Sequence, residues 1–352
     1  MKIVTQSTAT PVTPQTAERK SRMFGWLKRI ALWLIIGIVA LAATGATYQA
    51  IATALDKRAF PAPGEMIDIG GYSLHLYCVG QNEDGRPTVI LESGLGGTWS
   101  GWAWIQPVVA KTTRVCAYDR AGMGWSDSSP APRDAQNIAT ELHTLLQNAQ
   151  IPGPYVLVGW SFGGLYVRGY ANQYRDEVAG LVLLDSSSPE QCTSTPDGQA
   201  QCASDARIYS MAPVLARLGI MRVMALMRPV SGLPTPYSEA LLAAFSTTKG
   251  WDAQSAEYLA SPATNTQALN SESLGSLPLF VLSAANHGTS SDLEQLWQGW
   301  QTDLTTLSTN SVQRVLPSAT HVSIVFDATD AKMSAEAILQ VVEAARTGAP
   351  LK

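Results

Sequence analysis

Charge is scarce in this chain. Asp, Glu, Lys and Arg make up 15% of its 352 residues, against about 25% in an average soluble domain. Cysteine and histidine occur four times each. That count excludes a cysteine-rich mini-domain, and no Cys/His cluster has metal-ligand spacing, so no metal site is expected. Positive charge is not in excess either. The formal net charge is −4 and the pI is near 5.6, which argues against a nucleic-acid partner. No internal repeat is visible. What is present is apolar: 46% of the residues are hydrophobic, which excludes disorder as the dominant state. A chain of this length buries a sizeable core without metals or a disulfide scaffold.

The few charges are unevenly placed. Residues 1–58 carry eight Lys/Arg and two Asp/Glu, a balance of +6, and the remaining 294 residues carry a balance of −10. The segment 1–28 reads as a disordered, cytoplasmic tail, because its first 21 residues are rich in Thr, Pro, Gln and Ser. Arg22, Lys28 and Arg29 then precede 26 uncharged residues, Ile30 to Leu55. A bilayer span needs about 20 apolar residues, so 29–55 reads as a membrane anchor. Basic residues before the span place the body, 60–352, on the extracytoplasmic (periplasmic) side. The rival reading is a cleaved signal segment, which would release a soluble secreted form. The most apolar part, Ile30 to Ala43, is only 14 residues, and Ala40-Leu41-Ala42 resembles a small-residue cleavage site. Export gives the cysteines an oxidising context. Cys192 and Cys202 flank a nine-residue polar loop that a disulfide closes readily, whereas Cys78 and Cys116 fall in separate strands and read equally as buried small hydrophobes.

In the body, strand-like runs alternate with helix-like ones. Met66–Gly70 and Tyr72–Val79 read as a hairpin, and Thr88–Glu92, Thr113–Asp119, Tyr155–Gly159, Leu181–Asp185, Leu279–Ser283 and Gln313–Leu316 as further strands. Helical spacing marks Asp134–Gln150, Leu165–Tyr174 and Ala331–Arg346. Continuous apolar strands alternating with helices predict an α/β fold, a mostly parallel sheet covered on both faces. About 90 residues between Asp185 and Leu277 show no clear strand and predict a helical cap insertion over about 188–275. In it, Met211–Met227 is amphipathic, and its methionines read as packing on the sheet or lining an apolar pocket.

The chemistry centres on Gly159-Trp160-Ser161-Phe162-Gly163, between a strand and a helix. A serine at such a turn is exposed on a strained backbone, and Gly159 and Gly163 leave room for the sharp bend. The following helix offers N–H groups and a positive dipole end to a developing oxyanion. Backbone N–H groups of Phe162 and of Leu95, in Ser93-Gly94-Leu95-Gly96-Gly97, are the candidate oxyanion donors. Among the histidines, His321 follows the last strand and is the candidate base, in the chain order Ser, acid, His.

Together with Leu91-Glu92-Ser93-Gly94-Leu95-Gly96-Gly97 and Arg114-Val115-Cys116-Ala117-Tyr118-Asp119-Arg120-Ala121-Gly122-Met123-Gly124-Trp125-Ser126-Asp127, these elements resemble the α/β-hydrolase superfamily over about residues 64–345. The similarity is greatest to bacterial membrane-tethered, exported serine hydrolases. The resemblance implies an eight-stranded sheet, a Ser–His–acid triad, a two-N–H oxyanion hole, and ester or amide substrates. It also implies that Cys78 and Cys116 lie close enough for a cross-strand disulfide, and that Asp119 braces a loop. Two departures stand out. Trp160 occupies a position often held by His, which is expected to change the pocket wall. Asn286 and His287 stand where the superfamily usually places its aspartate, and an asparagine lacks the charge that stabilises an imidazolium. Asp185, at a strand end, is the favoured acid, and Asp292, which otherwise caps a helix at Leu293, is the alternative.

The expected function is a serine hydrolase, carboxylesterase- or lipase-like, acting through an acyl-enzyme and needing no cofactor. Its partners are a small-molecule acyl substrate and the membrane; no protein partner is predicted. The alternatives are an acyltransferase or cofactor-free perhydrolase on the same scaffold, or a catalytically inactive binding module. Trp99, Trp102, Trp104, Trp125 and Trp160, in or beside the site loops, point to an apolar pocket, although they read equally as core.

Overall fold

The computed structural model describes residues 15–81, 85–227 and 230–352, with side chains from Phe24 onward. The part of the expected tail over 1–14 lies outside the described residues.

The first helix, α1, runs Gln15–Ala59. It begins well before the anchor boundary expected at 29, because Glu, Arg, Lys, Met and Ala in 17–23 are good helix formers, no proline separates them from the apolar run, and the single Gly25 between costs only about 1 kcal/mol. From Phe24 to Leu41 its large apolar side chains are exposed.

The body is built on eight strands: β1 Glu65–Asp68, β2 Ser73–Val79, β3 Thr88–Glu92, β4 Val115–Tyr118, β5 Tyr155–Trp160, β6 Val178–Leu184, β7 Leu279–Ala284 and β8 Ser311–Leu316. They form one sheet in the order β1-β2-β4-β3-β5-β6-β7-β8. The β1–β2 and β2–β4 pairs are antiparallel and all others parallel. The first hairpin turns at Gly70 and Gly71, both in the left-handed region that glycine adopts without a Cβ clash.

Helices cover both faces. Around α2 (Gln106–Val109) and α12 (Ala328–Thr347), side chains such as Ile338 and Val341 pack on Val89, Leu91, Val158, Val182 and Phe280. On the other face α3 (Ala135–Asn148) and α4 (Phe162–Gln173) set Leu142, Leu146, Val167 and Tyr170 against Ile90, Leu157, Leu183 and Val281. Alternate residues of one strand thus enter opposite cores, which is why these strands are apolar throughout.

Between β6 and β7 the chain forms α5 (Pro196–Arg217), α6 (Ile220–Leu226), α7 (Thr235–Phe245), α8 (Thr248–Leu259) and α9 (Ser261–Leu269). The apolar periodicity over Met211–Met227 is not one helix. The chain turns by 100° between α5 and α6, and Gly219 sits there with φ +74°, a conformation a side chain resists. Nor do its methionines pack on the sheet: Met211, Met224 and Met227 are exposed, and only Met221 is buried. Beyond β7 come α10 (Ser291–Thr305) and α11 (Ser323–Phe326). Both cysteine pairs are bonded: Cys78–Cys116 ties β2 to β4, and Cys192–Cys202 closes the start of the cap.

Candidate active site

Parallel pairing sets the C-terminal ends of four strands level. Glu92 of β3 is in register with Gly159 of β5, Trp160 with Leu184 of β6, and Leu184 with Leu282 of β7. The loops that follow therefore meet at one edge, and this edge collects Ser93–Gly97, Ser161, Asp185, His287 and His321.

Ser161 joins β5 to α4 with φ +57° and ψ −125°, a strained backbone for a residue with a side chain. Close packing imposes the bend. A Cβ at Gly163 would lie 2.3 Å from the carbonyl oxygen of Glu92, and one at Gly159 would lie 2.6 Å from that of Gly163. The Ser161 hydroxyl lies 3.0 Å from Nε2 of His321, and Nδ1 of His321 lies 2.6 Å from Oδ2 of Asp185. Asp185 is fully buried and also takes a positive φ, +43°. Its other oxygen, Oδ1, accepts from the backbone N–H of Ala284 (3.1 Å) and from Nε1 of Trp297 (2.9 Å).

His287 stands on the far side of Asp185. Its Nε2 is 2.9 Å from Oδ2, the oxygen that His321 also uses, and its Nδ1 is 2.9 Å from Glu294. Burial would raise the Asp185 carboxyl, but the N–H groups of His287 and His321 outweigh it and hold the group well below the usual carboxylate range. Burial would lower His287, but hydrogen bonds and charge from Asp185, then Glu294, win and raise it. An imidazole with a carboxylate at each nitrogen is best satisfied as imidazolium, donating at both. With Nδ1–H of His321 given to Asp185, its Nε2 is left to accept the Ser161 proton.

One face of α10 organises this cluster. Glu294 holds His287, Trp297 holds Asp185, and Gln298 donates to the carbonyl of Ala284 (2.6 Å). Gln301, one turn on, donates to the carbonyl of Ser186 (2.7 Å). These four positions have the i, i+3, i+4, i+7 spacing of a single helix face. The polar inward pattern Glu294-x-x-Trp297-Gln298-x-x-Gln301 is the sequence signal that would have found them.

Asp292 is not brought to the cluster. It is exposed in the first turn of α10, beside the Ser291 hydroxyl, and the cap of that helix is Ser290 rather than Asp292. His75 is fully buried against Asp119, and His143 pairs with Glu177 on the surface of α3. Asp119 also accepts from the backbone N–H groups of Trp99 and Trp125, so it braces the loops on either side of it.

The loop carrying Leu95 is pinned from below. The buried Arg120 donates to the carbonyls of Ser93 (2.6 Å) and Gly94 (2.9 Å), and its remaining N–H groups meet Glu92 and the cap residue Glu257. A Cβ at Gly94 would touch that of Ser161 at 3.0 Å, so only glycine lets this loop lie so close.

A cavity of about 810 Å³ opens over Ser161. Leu95, Phe162, His287 and His321 line it, together with Ile208, Tyr209, Trp251, Tyr258, Leu293, Leu296, Trp297 and Trp300. Apart from Phe162 of α4, the aromatic wall thus comes from the cap and α10. The five tryptophans expected there do not line it: Trp102 is buried and donates to the Ser93 hydroxyl, and Trp104 donates to carbonyls of Gly232 and Phe326. Trp160 packs behind His321, its Nε1 on the His321 carbonyl at 3.0 Å, so it holds the histidine loop instead of shaping the pocket. Asp185, His287 and His321 each bring one ligand-type atom within 4.8 Å of the others. Within that group, each histidine hydrogen-bonds to Oδ2 of Asp185.

An eight-stranded sheet of this order, a strained serine at the turn after β5 and helices inserted after β6 define an α/β-hydrolase fold. Residues 87–201 match the family model of the α/β-hydrolase fold. An esterase from Thermogutta terrifontis superposes with a TM-score of 0.60 at 21% identity, covering 81% of this chain and 100% of that one. An epoxide hydrolase superposes with a TM-score of 0.63 at 17% identity, covering 79% and 98%. An uncharacterized vacuolar membrane protein of Saccharomyces cerevisiae is 33% identical over 132 residues, which is 33% of this chain and 20% of that protein. The chain spans only 18–29% of the length of three such curated relatives. The match to the family covers residues 87–201, and the body as a whole has the α/β-hydrolase fold.

Proposed function

We propose that this protein is a serine hydrolase that cleaves carboxylic esters of an apolar acyl group, tethered by α1 to a membrane with its body on the extracytoplasmic side. The observation that carries the reading is the continuous chain from Ser161 Oγ to His321 Nε2 (3.0 Å) and from His321 Nδ1 to Asp185 Oδ2 (2.6 Å). His321 takes the Ser161 proton as Oγ attacks the ester carbonyl, and Asp185 stabilises the imidazolium. Backbone N–H groups of Leu95 and Phe162 receive the oxyanion. His321 returns the proton to the leaving alcohol, and water, activated by the same histidine, releases the acid.

Tethering is supported by the exposed apolar stretch of α1, which is long enough to cross a bilayer. The side is supported by the basic residues ahead of it and by two disulfides in the body. The test is covalent labelling with a fluorophosphonate probe. The wild-type protein is expected to label and to hydrolyse nitrophenyl esters, and Ser161→Ala to do neither. Persistent labelling of Ser161→Ala would overturn the assignment.

A further inference from the structure

The C-terminal part of α1 does not trail free of the body; it is packed into the cap. Gln49 is 3% exposed, donates to the carbonyl of Ser246 at 2.6 Å, and accepts from Arg222 of α6. Arg222 also pairs with Asp56 at 2.6 Å and donates to Thr53. A Cβ at Gly45 would lie 2.3 Å from the carbonyl oxygen of Leu218, so helix and α5–α6 corner touch backbone to backbone.

Length then fixes where that corner sits. A hydrocarbon core about 30 Å thick takes about 20 helical residues at about 1.5 Å each. Counted from Ile30, the first residue after Arg29, twenty residues end at Gln49. The contact with Leu218 begins at Gly45, inside that count, so the corner lies at the boundary between hydrocarbon and headgroups.

The side chains around the corner fit that place. Met211 and Val214 on α5 are 60% exposed, and Ile220, Val223, Met224, Leu226 and Met227 on or just after α6 are exposed as well. Residues 220, 223, 224 and 227 form one helical face. Of the charged groups beside them, Arg222 is buried on Asp56, Arg217 is exposed but neutralised by its pair with Asp252, and Arg207 is exposed. Taken together, α5 and α6 are long and apolar enough for a span, yet their 100° bend bars them from crossing as one straight helix. An exposed apolar corner that cannot span is suited to lying along the interface. Ile208, one turn before Met211, is both exposed and part of the cavity wall, so the apolar face runs into the candidate site.

We infer that the α5–α6 corner is seated in the lipid interface beside α1 and passes a bilayer-dissolved, long-chain acyl ester along α5 into the Ser161 cavity. This rests on the reading of α1 as a span and of Ser161 as the nucleophile, and it adds the substrate class and its point of entry.

The full chain is reconstituted in phosphatidylcholine vesicles, with an environment-sensitive fluorophore on Val223→Cys. Quenching by doxyl-labelled phosphatidylcholine and protection from aqueous iodide are expected. A second variant, Met211→Gln/Val214→Thr/Met224→Gln, keeps the cavity intact. It is expected to lose at least about tenfold in turnover of nitrophenyl palmitate held in the vesicles, with nitrophenyl butyrate from water unchanged; tenfold corresponds to about 1.4 kcal/mol. Iodide access without lipid quenching, protection from both quenchers (a face covered by a second copy), or equal loss on both esters would overturn the inference. Resistance to alkaline carbonate extraction reports on the span separately. Release by carbonate would overturn the tether and this inference together. Retention with an iodide-accessible label would overturn the inference alone.

Discussion

Nε2 of His287 lies 2.9 Å from the same Asp185 oxygen that faces His321. Two imidazoles thus share one carboxylate oxygen, and the one remote from Ser161 is itself backed by Glu294. A carboxylate that must also balance the imidazolium of His287 has less negative charge to offer His321. What it gains is a fixed position, since His287, Trp297 and Ala284 hold it from three directions.

Removing His287 is therefore expected to damage positioning more than charge. His287→Gln should lower kcat on nitrophenyl esters by about tenfold, and by no more than about a hundredfold, the range set by one charge-assisted hydrogen bond. Glu294→Gln, one step further out, should cost less. Steady-state kinetics at saturating ester separates the two. Equal activity in all three proteins would show that His287 has no part in holding Asp185.

The acid itself is decided by a paired substitution. Asp185→Asn should reduce kcat by about 10⁴-fold, because the amide favours the wrong His321 tautomer and leaves its cation without a counter-charge. Asp292→Asn should change kcat by less than about twofold, since surface substitutions away from a site are near neutral. A full-rate Asp185→Asn enzyme would remove Asp185 from the mechanism.

The same cluster sets a pH window for stability. Asp185 is lowered from its ordinary 3.8, so its contribution is complete above that value and is lost as pH falls through its lower folded value. His287 is raised from 6.5, so its contribution is complete below 6.5 and fades as pH rises through its folded value. Both contributions are whole only between these ordinary values. In thermal melts across pH, the gap between wild type and His287→Gln should be widest near pH 5–6 and close steadily above neutrality. A gap that widens with pH would reverse this assignment.

Arg120 supports a further prediction. It is buried with Glu92 and Glu257, and Tyr118 also donates to Glu92. Arg120→Ala leaves two buried carboxylates facing each other, and should cost about 3–5 kcal/mol in a urea titration. Glu257→Gln keeps the shape and should cost less, while lowering ester turnover through looser hold on Ser93 and Gly94.

The β-strands and the serine turn were legible because their signals are local. Val156–Val158 is continuous and apolar, and the glycines around Ser161 stand within two residues of the bend they permit. Asp185 could be singled out by its place at a strand end. His287 could not, because its partner lies 102 residues away and its role depends on α10 turning Glu294 toward it. The aromatic wall was hidden for a similar reason: Trp251, Trp297 and Trp300 sit on α8 and α10, and only tertiary packing turns them toward Ser161. The break at Gly219 is silent in the sequence because an apolar period passes across it unaltered, and glycine in a helix pattern is a weak signal.

Arg120 has one more consequence. The same guanidinium grips the loop beneath Ser161 and the helix of the cap. A cap hinged on such a joint cannot open like a door without dragging the floor of the reaction chamber with it. Substrates of different girth would therefore be sorted by how far they tug that floor out of true, so that selectivity would register in the speed of bond-breaking as much as in the tightness of grip.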